Sequence, residues 1–399
     1  MTAFSLRFRA LDAWLAEHIA LWQFDTFAEV DNPWRAMYPA LASYLEQVDF
    51  DALHSDDFYA TVFRLCPSLL AWGEAAVSGQ PALAALDDRS EQSVSLPGYV
   101  STGIKGRKWS QIQAFVAQTP VVSDYVEWCA GKGHLGKVLA FQQQARVQSL
   151  EWQQVLCEAG EQEAKRLGVD QRFAHVDVLK QQGRAALFDA DCVVALHACG
   201  DLHRVLLQQA AEAKTSQLCL VPCCYHLTQA AVYVPLSGEA QGSALCLRQA
   251  DLKLAVKEVV TAGAREQRLK RLELTYRLGF DAWQREVRGE DGYLPVPSLQ
   301  KALLGQGFVG FCDWAAEQKH FSQRITKAEA VHFERVGQAR YETVQRLEAI
   351  SQLFRPALEQ WLVLDRAMYL QEQGYHVEIG AFCDKTLTPR NWMIRAKRD

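Results

Sequence analysis

The stretch DYVEWCAGKGHLGKVLA, residues 124–140, decides the fold of this chain. A short apolar run, typical of a buried strand, leads into Gly131, Gly133 and Gly136 and then into a helical pattern. This G-x-G-x-x-G spacing between a strand and a helix predicts a Rossmann-like nucleotide-binding turn. A glutamate, Glu127, stands four positions before the first of these glycines. Its negative charge bears on the kind of cofactor that the turn receives.

Strand-like and helix-like segments alternate after this turn. Four further short apolar runs are separated by polar turns and helical patterns: ARVQSLEW, RFAHVDVL, ADCVVALHACG and SQLCLVPCC. This alternation predicts an α/β fold with a parallel sheet and right-handed crossovers. Near the C-terminus the runs YHVEIGAF and NWMIRAK flank a turn at residues 388–391, which predicts an antiparallel hairpin at the end of the sheet.

Helical patterns on both sides of the sheet divide the chain into four segments. Apolar residues recur at three- and four-residue spacing near the N-terminus and again before the final hairpin. We therefore predict an N-terminal helical domain over 1–95, a Rossmann-like core over 96–260, a helical insertion over 261–370, and a hairpin over 371–399 that completes the core sheet.

The composition is that of a folded protein without a membrane span. Of 399 residues, 49% are hydrophobic and 22% are charged, and no apolar run approaches the roughly 20 residues that cross a bilayer. Charged residues interrupt the N-terminal apolar pattern, which argues against a signal peptide and predicts a cytoplasmic protein. The net charge of −5 excludes a global attraction to nucleic acid. The oligomeric state stays open.

The cysteines are expected to be reduced thiols. There are eleven, an odd number, and a chain of this length needs no disulfide framework. The main alternative is a zinc site made by Cys199, Cys223, Cys224 and His226. Adjacent cysteines are poor geometry for one tetrahedral zinc, and the sequence has no C-x-x-C pair. We therefore expect no metal.

The acidic residues favour one cofactor over another. Glu151 ends the second predicted strand, where a carboxylate binds an adenosine ribose, but dinucleotides and S-adenosylmethionine both carry that ribose. Glu127 distinguishes the two cofactors, because its carboxylate would repel the pyrophosphate of a dinucleotide and attract the ammonium group of S-adenosylmethionine. Gly131 and Gly133 let the backbone approach the donor, and Asp177 is placed to meet the adenine amino group. We predict S-adenosylmethionine, with an NAD-dependent oxidoreductase as the alternative.

Reactive side chains follow the fourth and fifth predicted strands. His197 and Asp201 follow the fourth strand, and Tyr225 and His226 follow the fifth. Ligands of open parallel sheets bind at this edge. We predict His197, His226 and Asp201 as candidate bases and Tyr225 as a residue that orients the acceptor, with His197 also beside the methyl donor.

Four motifs carry a resemblance to a known family. EWCAGKGHLG, ALHACGDL, PCCYHL and LTPRN resemble class I methyltransferases that include the methyltransferase-like proteins once named for a ribosomal-RNA adenine dimethylase domain, and the glutathione-S-transferase C-terminal-domain-containing protein. The resemblance implies the methyl donor but no acceptor. Cys129 stands where many methyltransferases have glycine, which implies a tighter first turn around the donor. HACGDL and CCYH are also similar to tRNA acceptor-stem 2′-O-methyltransferases, which suggests RNA.

A basic segment precedes the first strand. TGIKGRKW offers Lys105, Arg107 and Lys108 for phosphates and Trp109 for stacking on an unpaired base. We therefore predict RNA, either tRNA or rRNA, as the acceptor in preference to a protein. A non-catalytic adaptor that retains the donor-binding fold is the remaining alternative.

Overall fold

The structure is a computed structural model that describes residues 2–78, 86, 96–257 and 264–398. In this part of the chain the helices are α1 Ala3–Glu17, α2 Pro39–Gln47, α3 Asp56–Leu65, α4 Leu70–Ser78, α5 Gly106–Gln118, α6 His134–Gln143, α7 Gln154–Leu167, α8 Asp201–Ala213, α9 Gly238–Gln241, α10 Gln249–Ala255, α11 Ala264–Arg288, α12 Gly307–Gln318, α13 Lys327–Ser351 and α14 Arg355–Glu372. The strands are β1 Asp124–Trp128, β2 Arg146–Glu151, β3 Gln171–His175, β4 Cys192–Cys199, β5 Gln217–Cys223, β6 His376–Ala381 and β7 Trp392–Lys397. Short 3₁₀ helices lie at Ile19–Leu21, Phe50–Ala52, Pro67–Leu69, Gly98–Val100, Val178–Lys180, Arg184–Leu187, Lys301–Gln306 and Gln352–Phe354.

The described strands form one sheet in the order β3-β2-β1-β4-β5-β7-β6. The first five are parallel, and β7 is antiparallel to both β5 and β6. The strand order reverses between β1 and β4, which is where open α/β sheets bind ligands. The predicted α/β fold with a terminal antiparallel hairpin is confirmed.

Helices α5 and α6 cover one face of the sheet around β1. Ile112 and Phe115 of α5 and Val138 of α6 are fully buried against Tyr125 and neighbouring strand residues. Burial of such side chains contributes roughly 1.5–3 kcal/mol each relative to leaving them exposed. This packing holds the start of α6, and with it the glycine turn, at the carboxyl end of β1.

The chain divides into two compact units, and the first contains the sheet. It comprises residues 1–17, 79–258 and 355–399. Helix α14 belongs to it although the sequence assigns most of that helix to the insertion, because its side chains are buried against α1, α10 and the terminal hairpin. Phe8 of α1, from the predicted N-terminal domain, packs on Trp361 of α14 with ring centroids 5.0 Å apart. The predicted domain boundary at 260/261 lies outside the described residues, and the one at 95/96 lies at the edge of them.

The second unit comprises residues 18–78 and 259–354, so that N-terminal helices and most of the predicted insertion share one core. Helices α11 and α13 pack closely, and a Cβ on Gly337 would lie 2.3 Å from the Thr275 carbonyl oxygen. Asp281 of α11 accepts a 2.6 Å hydrogen bond from buried Arg340 of α13. Among the described residues, no helix of either unit is both long and apolar enough to cross a membrane.

Candidate functional site

A cavity of about 890 Å³ opens at the carboxyl ends of the parallel strands. It lies in the first unit, beside the point where the strand order reverses. Its walls combine apolar side chains from the ends of β2 and β3 with polar groups from the turns after β1, β4 and β5. The lining residues include Cys129, Gly131, Leu150, Glu151, Trp152, Gln153, Asp177, Val178, Leu179, His197, Cys199, Asp201, Leu202, His226, Leu227, Thr228 and Gln249.

Glu151 ties the end of β2 to the glycine turn. Its Oε2 accepts a 2.8 Å hydrogen bond from the amide of Gly131, and its Oε1 accepts one of 2.9 Å from the amide of Gln153. Gly131 has a φ of +59°, and a Cβ built on it would meet nothing within 4 Å. The backbone at Gly131 is therefore directly accessible from the cavity.

Gly133 packs closely against β3, and its predicted contact with the donor stays a prediction. A Cβ at this position would lie 2.3 Å from the ring of Phe173 and 2.4 Å from Gln171 Nε2. Its φ of +65° is also in the left-handed region that favours glycine. Gly133 thus lets α6 begin directly against β3.

Asp177 follows β3 and lines the cavity. Its Oδ1 accepts a 3.1 Å hydrogen bond from the amide of Leu179, so that it caps the short helix Val178–Lys180. Lys180 Nζ lies 3.2 Å from its Oδ2. The apolar side chains of Leu150 and Val178 lie on the same part of the wall.

Glu127 is buried under the start of α6 and is not among the residues that line the cavity. Ser149 Oγ donates a 2.6 Å hydrogen bond to its Oε2, and the amides of Gly136 and Leu135 also donate to the carboxylate. Burial raises the pKa of Glu127 to about 7, although these hydrogen bonds act in the opposite direction. The structure therefore places Glu127 as a support for the glycine turn, and its contact with a methyl donor stays a prediction.

Three strand ends at the cavity hold non-glycine residues in a left-handed backbone conformation. Cys129 after β1 has a φ of +56°, His197 within β4 has +63°, and Cys224 after β5 has +47°. His197 lies where the pairing of β4 with β5 shifts by one residue, between Leu196 and Ala198. Such conformations cost free energy and concentrate at functional sites.

His197 is buried and is influenced by the charges of two basic residues. Its Nε2 is 3.0 Å from the side-chain oxygen of Gln111 on α5. Burial, together with the positive charges of Arg390 and Lys108, lowers the pKa of His197 to about 4. The imidazole is therefore neutral at physiological pH.

The structure brings three of the four predicted catalytic residues to the cavity. His197, Asp201 and His226 line it. Asp201 Oδ2 accepts a 2.9 Å hydrogen bond from the amide of Gln229, while Nδ1 of His226 is buried without a hydrogen-bond partner among the described residues.

Tyr225, the fourth, is directed into the protein interior. It is buried and packs edge-on against His203 with ring centroids 5.8 Å apart. The guanidinium of Arg366 lies 4.8 Å from the centroid of its ring. Within the described ranges its hydroxyl has no hydrogen-bond partner. Its predicted role in orienting an acceptor stays a prediction.

Three thiols converge beside His197. The Sγ atoms of Cys199, Cys223 and Cys224 all lie within 4.8 Å of one another, and those of Cys199 and Cys223 are 3.4 Å apart. The cysteines are free thiols, as the sequence predicts. A hydrogen bond from Cys223 lowers the pKa of Cys224 to about 5, against the opposing effect of burial.

The predicted acceptor-binding residues begin α5. Lys105 is its N-cap, and Arg107 and Lys108 are exposed in its first turn. Trp109 instead packs against the apolar core under α5 and α6, so its predicted stacking on a base stays a prediction.

Arg390 is a candidate site residue that the sequence analysis missed. Its charge acts on both His197 and Cys224, and its Nε is buried without a partner in the part of the chain that the structure describes. The motif LTPRN contains it, but the residue pattern did not indicate that the terminal hairpin, which pairs with β5, brings the charge of this turn close to His197 and Cys224.

Comparison with known proteins gives one family and several solved structures. Residues 107–231 match a family described as a methyltransferase domain. A structure of coclaurine N-methyltransferase bound to N-methylheliamine and SAH is 14% identical, with 72% of this chain and 96% of that chain covered and a TM-score of 0.28. The 23S rRNA methyltransferase ErmE is 11% identical, with 53% and 98% covered and a TM-score of 0.24. An S-adenosylmethionine-dependent methyltransferase from Agrobacterium tumefaciens is 15% identical, with 31% of this chain and 44% of that chain covered and a TM-score of 0.23. This chain therefore spans less than half the length of that protein.

Proposed function

We propose that this chain, a class I methyltransferase with S-adenosylmethionine as its methyl donor, transfers the methyl group to RNA. The match of residues 107–231 to a methyltransferase domain supports the enzyme class, and the residues that line the cavity support the donor. The acceptor and the roles of the individual residues are the proposal.

The cavity residues fit the methyl donor. Both carboxylate oxygens of Glu151 retain acceptor capacity beyond the amides of Gly131 and Gln153, so they can accept hydrogen bonds from ribose hydroxyls. Leu150 and Val178 offer apolar surface for the adenine, and Asp177 stands at the same wall. Gly131 leaves room for the methionine part beside Cys129 and His197.

Two cations whose charges act on His197, a residue that lines the cavity, support RNA as the acceptor. Lys108 from the start of α5 and Arg390 from the hairpin turn both act on His197. Neither forms an ion pair with a carboxylate among the described residues, although many other arginines of the chain do. Cations without a protein partner at a ligand site suit phosphate groups, and they can bind RNA although the chain as a whole is acidic.

Lys105 and Arg107 extend this positive surface along the exposed first turn of α5. A phosphate bound between Lys108 and Arg390 would place the adjoining nucleotide near His197, Asp201 and His226. Methyl transfer requires a nucleophile aligned with the methyl carbon, and a nearby base removes its proton where necessary. We assign the removal of that proton to His226, whose side chain lines the cavity.

Transfer of labelled methyl groups from S-adenosylmethionine to total cellular RNA tests the proposal. We expect label that ribonuclease removes and protease does not. The variant Lys108→Gln/Arg390→Gln should lower RNA labelling by about tenfold or more and weaken the salt dependence of RNA binding, with unchanged donor affinity.

The matched control is Arg172→Gln/Lys214→Gln, which removes the same charge from exposed positions at the amino ends of the strands. It should label RNA as the wild type does. Label in protein bands only, or an equal loss in both double variants, would contradict RNA as the acceptor.

A further inference from the structure

We propose that Cys199, Cys223 and Cys224 bind one zinc ion at the edge of the donor cavity. The site goes beyond the proposed function, since neither the methyl donor nor the RNA acceptor requires it. The three Sγ atoms lie within 4.8 Å of one another. Around a tetrahedral zinc with Zn–S bonds of about 2.3 Å, sulfurs are ~3.8 Å apart. Cys199 and Cys223, at 3.4 Å, need to separate by only a few tenths of an ångström.

The sheet itself pairs two of the ligands. Cys199 at the end of β4 is directly opposite Cys223 at the end of β5 in the parallel register. Side chains at opposed positions of neighbouring strands point to the same face of the sheet. The shift in pairing at His197 creates this alignment, because it moves the last residues of β4 by one position relative to β5.

The left-handed conformation of Cys224 supplies the third ligand. In an extended strand, adjacent residues such as Cys223 and Cys224 would point to opposite faces. The φ of +47° at Cys224 breaks this alternation, and its Sγ joins the other two. Adjacent cysteines and the lack of a C-x-x-C pair both spoke against zinc in the sequence, and the turn at Cys224 removes the first of these objections.

The surroundings suit a thiolate-bound cation. Thiolates are soft ligands that select Zn²⁺ over harder cations such as Mg²⁺ and Ca²⁺. Three thiolates and one Zn²⁺ leave a net charge of −1, and the positive charge of Arg390 acts on Cys224. Three protein ligands leave one tetrahedral position for a further ligand, and Cys199 also lines the donor cavity. This combination is typical of zinc sites that take part in binding or chemistry.

Metal analysis of the full-length protein tests the site. Protein produced with zinc in the medium and purified under reducing conditions should contain one zinc ion per chain, measured by inductively coupled plasma mass spectrometry. Cys223→Ala and Cys224→Ala should each lose most of it. The matched controls Cys157→Ala and Cys312→Ala, which alter buried cysteines elsewhere, should retain it.

Cobalt gives a second measurement that requires no variant. Co²⁺ added to the metal-free wild type should produce intense thiolate-to-cobalt charge-transfer bands at one equivalent, and zinc should abolish them. A folded wild type with neither zinc nor these bands would overturn the proposal. So would copper in place of zinc, or a Cys199–Cys223 disulfide in protein isolated without air. Both measurements are made without donor or RNA, so they are independent of the proposed methyl transfer.

Discussion

The Glu151 carboxylate accepts a 2.8 Å hydrogen bond from the amide of Gly131, which precedes it by twenty residues. This contact joins the end of β2 to the turn after β1, and both residues face the cavity. One side chain therefore shapes the turn and presents acceptor atoms to the ligand.

Replacement of Glu151 by glutamine should weaken binding of S-adenosylmethionine. One acceptor oxygen becomes an NH₂ donor, which would then face a backbone amide or a ribose hydroxyl. Hydrogen bonds to charged groups contribute about 1.5–3 kcal/mol, so we expect a loss of affinity of roughly 10- to 100-fold, measured by isothermal titration. Glu158→Gln, on the exposed surface of α7, is the control. Unchanged affinity in Glu151→Gln would exclude a direct contact with the donor.

Gly131→Asn should block the approach of the donor without unfolding the protein. Asparagine tolerates the left-handed conformation better than most residues, and a Cβ at Gly131 meets no protein atom within 4 Å. Gly168→Asn is a close match, since Gly168 has a φ of +66° and equally open surroundings but does not line the cavity. Both variants should lose a similar amount of stability, and only Gly131→Asn should lose donor affinity. Equal donor affinity in the two would refute this assignment of the turn.

The buried carboxyl of Glu127 should make stability depend on pH. Its pKa rises from an ordinary value of 4.5 to about 7 because burial disfavours the charged form. The folded state therefore binds the proton more tightly than the unfolded chain does. The resulting stabilisation is complete below about pH 4.5 and is lost as the pH rises through about 7.

Denaturant unfolding of wild type and Glu127→Gln measures this effect. Glutamine does not titrate, so the stability of the wild type relative to the variant should fall by on the order of 3 kcal/mol between about pH 4.5 and about pH 8. Parallel stability curves for the two proteins would show that Glu127 keeps an ordinary pKa when folded.

Tyr225→Phe should raise folding stability. The hydroxyl is buried and has no hydrogen-bond partner within the described ranges. Its removal therefore relieves the cost of burying a polar group without a hydrogen bond, which is about 1–3 kcal/mol. The ring would keep its contacts with His203 and Arg366. Thermal unfolding and methyl transfer measured together separate the two roles. A large fall in the rate with unchanged stability would support the predicted part of Tyr225 in orienting the acceptor.

The sequence alone determined the features that depend on local pattern. Alternating apolar runs and helices predicted the parallel sheet, and the turn at residues 388–391 predicted the hairpin, because periodicity reports which face of each element is buried. The spacing between Gly131 and Glu151 placed both at the edge of the cavity, since the carboxyl ends of neighbouring parallel strands meet there.

Only the tertiary structure decided where individual side chains point. A strand-end residue can face the cavity or the adjoining helix, and packing turned Glu127 toward Ser149 and Tyr225 into the interior. The left-handed turn at Cys224 arises where β5 ends, and adjacency in sequence gave no sign of it. The charge of Arg390 acts on His197 and Cys224 because β7 pairs with β5 and brings the hairpin turn near the ends of β4 and β5. These features result from long-range contacts between segments far apart in the chain, which residue patterns over short windows do not encode.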